Sequence, residues 1–321
     1  MIDLDSPLAA LVSVELDTEA PPPARALAEA IRRERGDVAS ILFYGSCLRK
    51  KTNMGVYDFY VLVDEYRDTY DSTLLAIANR LLPPNVFYIE TEFEGEVLRS
   101  KYAVLTLRDF ERCVQPACIH PYIWARFSQP SLLAYVRDDE ARDHAIRCAS
   151  QAAVTLVQRL MVFLPANDRI QRFSASALWQ TAFALTYGAE RRVETDERIS
   201  SNYESAPERY DRAAKLALQM LEDSKWIERA STRGEGAAYE VEMSPMRRKM
   251  MQWRWHVSKP ISRVLAIGRL LKTAFTFGDW VPYALFKLET HTGQPIVLTQ
   301  RQREHPLIFA WPVIWKVYLR R

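Results

Sequence analysis

Ile41-Leu42-Phe43-Tyr44-Gly45-Ser46, a polar loop holding Arg49, Lys50 and Lys51, then Val56-Tyr57-Asp58-Phe59-Tyr60-Val61-Leu62-Val63-Asp64 is the stretch that decides the fold. Both flanking runs are apolar and rich in β-branched and aromatic residues, which predicts two strands. Gly45 has no side chain to keep a phosphate away from the backbone of the turn. Ser46 adds a hydroxyl, and its N–H, as phosphate donors. Asp58 stands near the start of the second strand, where a carboxylate can hold the Mg²⁺ that bridges a nucleotide's phosphates. In this reading Asp58, Ser46 and Lys50 are the catalytic candidates, with Lys50 and Lys51 offsetting the charge of departing pyrophosphate.

Working outward, Pro22 and Pro23 precede a helical stretch from Ala24 to Arg35, and Gly36 suits its stop. Strands are expected over 38–44, 56–64, 86–93 and 102–107, with a helix over 70–82 between the second and third. Helix–strand–loop–strand–helix–strand is the minimal core of the DNA polymerase β-type nucleotidyltransferases. Their usual pattern is Gly-Ser, a loop, then Asp-x-Asp, and Tyr60 stands where the second Asp would be. Candidates for a second metal ligand are Asp64, Glu65, Glu90 and Glu92. Asp64 is about 20 Å from Asp58 along an extended strand, so Glu90 or Glu92 on a neighbouring strand is the better choice.

Past Asp109 the texture becomes helical. Helices are expected over 110–126 with interruptions at Pro116 and Pro121, then over 138–164, 176–187 and 212–229, with an extended piece at 131–136. Residues 195–210 read as loop and 231–236 as a linker. The fold class expected is α+β. A nucleotidyltransferase domain spans 1–136 (with 1–20 a loosely ordered arm), a helical domain spans 137–230, and a basic aromatic region spans 231–321.

The bulk numbers agree with a folded protein: 321 residues, 48% hydrophobic and 26% charged, with a net charge of only +3. That charge is unevenly spread. From Met243 onward there are 14 lysines and arginines against three acids, and five of the eight tryptophans lie in the same part. Such a segment suits an anionic partner. Residues 260–277 read as an amphipathic helix with Val264, Leu265, Ile267, Leu270 and Leu271 inward and Arg263, Arg269 and Lys272 outward. The closing run 306–321 is too short and too broken by proline to span a bilayer, but its Trp, Tyr and Arg residues suit the headgroup layer. The aromatics there cluster with aliphatics, so no nucleic-acid partner is expected. The acidic start of the chain does not read as a secretory signal. The expected location is cytoplasmic and peripheral, on the inner face of the membrane. Cys47, Cys113, Cys118 and Cys148 form no CxxC pair, and the five histidines look too scattered for a zinc site, so reduced structural thiols are expected.

Several segments in order resemble the mitochondrial-type phosphatidate cytidylyltransferases, also called the translocator assembly and maintenance protein family. Tyr44-Gly45-Ser46 and Tyr57-Asp58-Phe59-Tyr60 resemble that family's Tyr-Gly-Ser-Gly and single-carboxylate Asp-Phe-Ile/Val-Phe. Lys101-Tyr102-Ala103-Val104 is similar to its Lys-Tyr-Gly-Val, and Ala125-Arg126-Phe127-Ser128-Gln129-Pro130 to its Gly-Arg-Leu-Gln-Lys-Pro. Leu185-Thr186-Tyr187-Gly188-Ala189-Glu190-Arg191 is similar to its Leu-Ser-Tyr-x-Gly-Asp-x-Arg. The likeness covers roughly 38–210. Cys47 departs from the family's second Gly and would narrow the loop, and the Trp-His…Asn signature after the second strand is absent.

The resemblance implies transfer of CMP from CTP to phosphatidate, giving CDP-diacylglycerol and pyrophosphate, with Mg²⁺ as cofactor. It implies a nucleotide site of Tyr44, Gly45, Ser46, Lys101 and Arg126; the strand positions put the metal on Asp58 and Glu90. Two alternatives stay open: a nucleotidyltransferase with another lipid or soluble acceptor, and a non-catalytic membrane-associated protein on a degenerate transferase fold.

Overall fold

Ser6 and Pro7 open a helix where the sequence suggested a loose arm. In a computed structural model that describes residues 2–52, 55–190, 196–233 and 238–276, α1 (Pro7–Leu16) is capped by the Ser6 hydroxyl, which accepts from Ala9 N. Leu8, Val12 and Leu16 lie one helical turn apart and are fully buried, so the arm is part of the core. Glu15 fixes it further, accepting from Ser131 N at 2.9 Å and pairing with Arg209 at 2.7 Å.

α2 (Pro22–Arg35) leads to β1 (Ser40–Tyr44), then a short α3 (Ser46–Lys50) and β2 (Val56–Val63). α4 (Tyr66–Thr69), α5 (Thr73–Leu81), β3 (Asn85–Phe93) and β4 (Glu96–Thr106) follow. α6 (Leu107–Val114), α7 (Trp124–Phe127) and β5 (Leu132–Val136) complete this half. The five strands form one sheet in the order β3-β4-β2-β1-β5, with β2 and β4 parallel and the other pairs antiparallel. Side chains alternate across it. Phe43, Tyr57, Phe59 and Val61 face Leu27 and Ile31 of α2 in one buried layer. Leu42, Tyr60, Leu62, Ala103 and Leu105 face the other layer, with α1, α6, α7 and the next helix.

That helix is α8 (Asp139–Leu160). Asp138 caps it by accepting from Ala141 N, and Asp139 and Glu140 suit the positive end of its dipole. Its buried alanines, Ala145, Ala149, Ala152 and Ala153, let neighbouring elements approach closely. A 3₁₀ turn at Met161–Phe163 ends it, ahead of β6 (Ala166–Asn167), β7 (Ile170–Ser174) and α9 (Ala175–Glu190). α10 (Asp196–Glu204) occupies part of the stretch expected to be loop, and the Asn202 amide donates to the Tyr187 hydroxyl.

α11 (Pro207–Asp223) precedes β8 (Arg229–Arg233) and β9 (Ala238–Glu242). The expected linker at 231–236 therefore begins in a strand: β8 and β9 pair, and with β7 and β6 they make a second, antiparallel sheet in the order β6-β7-β9-β8. Its short strands are polar on one side, with Arg172 bonded to Glu240 at 2.8 Å, and Arg169 and Glu228 pair just outside β7 and β8, so the pattern lacks long apolar runs. One buried cluster runs from Leu42 and Tyr60 through α8 to Val241 and Trp255, crossing the expected divisions at 136 and 230.

α12 (Pro245–Thr276) is 32 residues long with Pro260 inside it. Its orientation differs from the expected one: Arg263 is exposed as expected and Leu265 is half-buried, but Val264, Ile267, Leu270 and Leu271 are exposed and Arg269 is buried. Met251, Trp255, Ser258, Ser262 and Arg269 face the body. Met246, Met250, Trp253, Val264, Leu270 and Leu271 face outward, each more than half exposed. Trp255 in the core and backbone acceptors for the cations set this choice: Arg269 donates to Pro83 O at 2.8 Å and Lys272 to Leu82 O. The run 306–321 and Trp280, Trp311 and Trp315 lie outside the described residues.

Candidate active site

The β1–β2 register places Asp58 opposite Tyr44, and the parallel β2–β4 register places it opposite Lys101. Tyr44, Asp58 and Lys101 therefore form one row across the sheet, on the face that carries Tyr60 and Leu62. Lys101 Nζ is 2.9 Å from Asp58 Oδ1. Apart from that ion pair, Oδ1 is shielded from solvent and has no hydrogen-bond partner among the described residues.

Gly45 makes room for this carboxylate. Its φ is +92°, and a Cβ there would stand 2.6 Å from Asp58 Oδ2. Any side chain at 45 would both strain the backbone and displace the acid. The negative charge is felt by its neighbours. Burial, then Asp58, pushes the Tyr44 hydroxyl well above its ordinary range and the Cys47 thiol up to about 11.

Cys47 is turned into the protein. It is buried, its Sγ donates to Val56 O at 3.5 Å, and Gly55, with φ +152°, lies close enough that a Cβ there would be 3.1 Å from that sulfur. The thiol thus packs at the base of the loop, between α3 and β2. Ser46 and Lys50, at the two ends of α3, are both exposed. Arg49 reaches Gln129 Oε1 at 3.3 Å, while the Gln129 amide donates to Ala125 O at 2.9 Å, which ties the loop to α7.

Arg126 is 6% exposed, its guanidinium lies over the Tyr122 ring at 3.8 Å, and it donates to Tyr122 O. Its positive charge offsets part of the upward shift at both Tyr44 and Tyr60. Tyr60 is fully buried and packs edge-on against Phe127 at 5.0 Å. In place of a second carboxylate, then, there is an aromatic anchor holding α7 to the sheet.

Glu90 is not brought to Asp58. It pairs with Arg99 across β3–β4, while Asp58 pairs with Lys101 across β4–β2. β4 lies between them, which separates the two Cα atoms by about 12 Å at ordinary strand spacing. Glu90 accepts from Tyr88 Oη at 2.6 Å and from Arg99 Nε at 3.2 Å. Asp64 is likewise engaged, with Arg137 at 2.5 Å. Asp58 is thus the one acid of the expected metal set in the row. The ion pair between Asp58 and Lys101 was not foreseen. The parallel pairing of the strands at 56 and 96 was its missing signal, because a parallel register cannot be read from a turn.

No family model matches this sequence, and no curated protein matches it. Among solved structures, a nucleotidyltransferase-like protein from Exiguobacterium sibiricum 255-15 is similar at 10% identity, over 92% of this chain and 91% of that one, with a TM-score of 0.26. A TM-score of 0.26 is too low for the two backbones to be called the same fold. Among the described residues, no helix is long and apolar enough to cross a membrane.

Proposed function

We propose that this chain is a nucleotidyltransferase that uses one strand carboxylate, and that it transfers CMP from CTP to phosphatidate at a lipid surface. The observation that carries the reading is the Gly45–Asp58 contact: a glycine with positive φ opens the turn where an acid on the next strand points into it. Asp58 Oδ1, shielded from solvent and already 2.9 Å from the Lys101 ammonium, is an oxygen that favours a cation, and Mg²⁺ accepts one or two carboxylates with phosphate and water oxygens completing its shell. When bound, Mg²⁺ would neutralise the triphosphate and the developing charge on pyrophosphate.

The chain's own residues would do the rest. The Lys101 ammonium, already beside Asp58, exchanges that partner for a phosphate oxygen as the nucleotide enters. The Ser46 hydroxyl and Lys50 stand exposed at the turn, where phosphates approach. Arg126, held by Tyr122, supplies fixed positive charge beside Tyr44. An acceptor phosphate oxygen attacks the α-phosphorus, the new P–O bond forms, and the α–β bond breaks with pyrophosphate leaving. Positioning and charge neutralisation carry such a reaction, so a single acid can suffice.

α12 supports a lipid acceptor. Between 245 and 276 it has eight basic residues and no acid, and its outward face is apolar. Lys249 with Met246, Met250 and Trp253 lines an open cleft of about 530 Å³. This helix runs back to the sheet, where Gly268 packs against Leu82 and Arg269 lies 4.6 Å over the Tyr122 ring that also holds Arg126. The proposed nucleotide site is thus linked to the Arg269 end of α12, about 24 Å along the helix from Trp253.

A second reading, a non-catalytic lipid-binding protein on a transferase-like core, is favoured by Tyr60 and by the Lys101 partner that already neutralises Asp58. Purified chain with labelled CTP, Mg²⁺ and phosphatidate vesicles separates the two. CDP-diacylglycerol formation, abolished by Asp58→Ala, is expected. Pyrophosphate release only with another acceptor would move the function elsewhere in the class, and no turnover with any nucleotide would favour the second reading.

A further inference from the structure

We propose that Cys113, Cys118 and His120 form a binding site for a thiophilic divalent cation of the zinc type, on the loop that leads to Arg126. The cysteine spacing carries no CxxC signature, yet the loop between α6 and α7 folds the three side chains together. Their ligand atoms all lie within 4.8 Å of one another, and Cys118 Sγ is 3.9 Å from His120 Nδ1. Around tetrahedral zinc, with Zn–S near 2.3 Å and Zn–N near 2.05 Å, neighbouring ligand atoms are about 3.5–3.8 Å apart. Closing this cluster onto an ion therefore needs side-chain shifts of about 1 Å or less. Among the described residues there is no fourth protein ligand. Cys118 and His120 are half-buried, so a water can complete the shell, as in open three-ligand sites.

The loop is built in advance. Cys118 N donates to Gln115 O at 2.9 Å. Arg159, 1% exposed, donates to Pro116 O and Cys118 O at 2.8 and 2.9 Å. Arg254 from α12 donates to Pro116 O and Ala117 O at 3.0 and 2.9 Å. These guanidinium groups hold the carbonyls and leave the sulfurs to face one another. Arg159 also keeps a buried Nη2 without a hydrogen-bond partner among the described residues, and that unmet donor suits anionic sulfur nearby.

Three guanidinium groups, those of Arg159, Arg254 and Arg269, beside a dication need a charge account. As two S–metal bonds form, the thiol protons leave to solvent, and a dication with two thiolates is neutral. Arg269 Nη2 lies 3.2 Å from His120 Nε2. A guanidinium can only donate, so Nε2 accepts and the imidazole proton sits on Nδ1, facing Cys118. A cation takes the place of that proton and the imidazole proton moves to Nε2, so the Arg269 Nη2–His120 bond breaks and Nη2 turns to solvent while Arg269 Nε keeps its bond to Pro83 O. The site would pin the end of α6 to the segment that carries Tyr122 and Arg126, independently of what the Asp58 site does.

Titration of the reduced full chain with Co²⁺ tests this directly. One equivalent should bind with sulfur-to-cobalt charge-transfer absorption in the near ultraviolet and visible d–d bands, and Zn²⁺ should displace it. Cys113→Ser and Cys118→Ser should each weaken binding at least tenfold. His120→Gln, at a half-exposed position that should leave the fold intact by circular dichroism, should weaken it too. Cys47→Ser, Cys148→Ala and Asp58→Asn should retain the bands. The proposal is overturned if the reduced chain shows no thiolate band, if the band survives in the Cys113→Ser/Cys118→Ser double variant, or if His120→Gln binds as the parent does.

Discussion

Gly45 and Asp58 are mutually dependent: the space a Cβ would fill on Gly45 is held by the Asp58 carboxylate, 2.6 Å from that position. Gly45→Ala therefore meets two penalties, the +92° φ and the displaced acid. Backbone strain of this kind costs about 1–3 kcal/mol, and denaturant unfolding should show a loss in that range. Nucleotide turnover should fall further than stability does, because the acid moves. A variant with parental turnover would mean that Asp58 is not the working carboxylate.

Lys101 and Asp58 share their charge at 2.9 Å, with the lysine about a third exposed. Asp58 is only 15% exposed, so removing the lysine leaves a largely buried carboxylate without its counter-charge, at a cost of about 1–3 kcal/mol. Lys101→Met should lower the unfolding free energy by that amount, Lys101→Met with Asp58→Asn should recover it, and Lys101→Met should lower kcat/KM for CTP at least tenfold. If the lysine only neutralises Asp58 in a non-catalytic protein, nucleotide binding measured by calorimetry will be the same in both.

Tyr60→Asp would write the usual two-acid pattern back into β2, and it should fail. The position is fully buried and its ring packs on Phe127, so the change removes an aromatic anchor and buries a charge. Loss of such a ring alone costs about 3–5 kcal/mol. Thermal unfolding should drop sharply with no gain in turnover. An active, stable Tyr60→Asp variant would show that the site has room for a second acid.

The sheet was legible because β1 and β2 are continuous apolar runs around a Gly-Ser turn, and that turn places Asp58. The second sheet was not, because its strands are two to five residues long, with Arg172 of β7 paired to Glu240 of β9 and Arg169 to Glu228 just beyond the strand ends. α1 was hidden by its acidic surroundings, although Leu8, Val12 and Leu16 already had helical spacing. The inward face of α12 was misjudged for a physical reason. Apolar spacing alone predicts an apolar inner face, but Ser258, Ser262 and Arg269 pack inward by bonding to backbone carbonyls. Glu90 was placed near Asp58 by counting strands, and the intervening β4 could not be known without the strand order.

Lys272 gives the protein a pH dependence with a definite sign. Burial, then the nearby Arg269, lowers its ammonium pKa to about 7 from an ordinary 10.5. The unfolded chain thus holds more protons than the folded one between those values, and stability rises as pH rises through that window. The lysine's penalty is fully present below about pH 7. Lys272→Met should raise the unfolding temperature at pH 7 and flatten its rise between pH 7 and 10. Parallel curves for the two proteins would place the proton elsewhere.

The outward face of α12 makes the last prediction. Met246, Met250, Trp253, Val257, Ile261 and Val264 recur at three- and four-residue spacing and are exposed, with Arg247, Arg248, Lys249, Arg254, Lys259 and Arg263 among them. An apolar stripe with only basic neighbours fits the boundary of an anionic bilayer, where each cation adds about 1 kcal/mol. The full chain should sediment with phosphatidate vesicles and much less with neutral ones, and binding should weaken as salt is raised. Met250→Gln with Trp253→Gln should cut vesicle binding at least tenfold and leave CTP binding unchanged. A basic stripe repels a second copy of itself, so the chain should not lose an oligomer when these residues are changed. If sedimentation velocity shows a dimer that the double variant abolishes, with vesicle binding intact, the stripe is an interface between copies and the lipid reading of α12 fails.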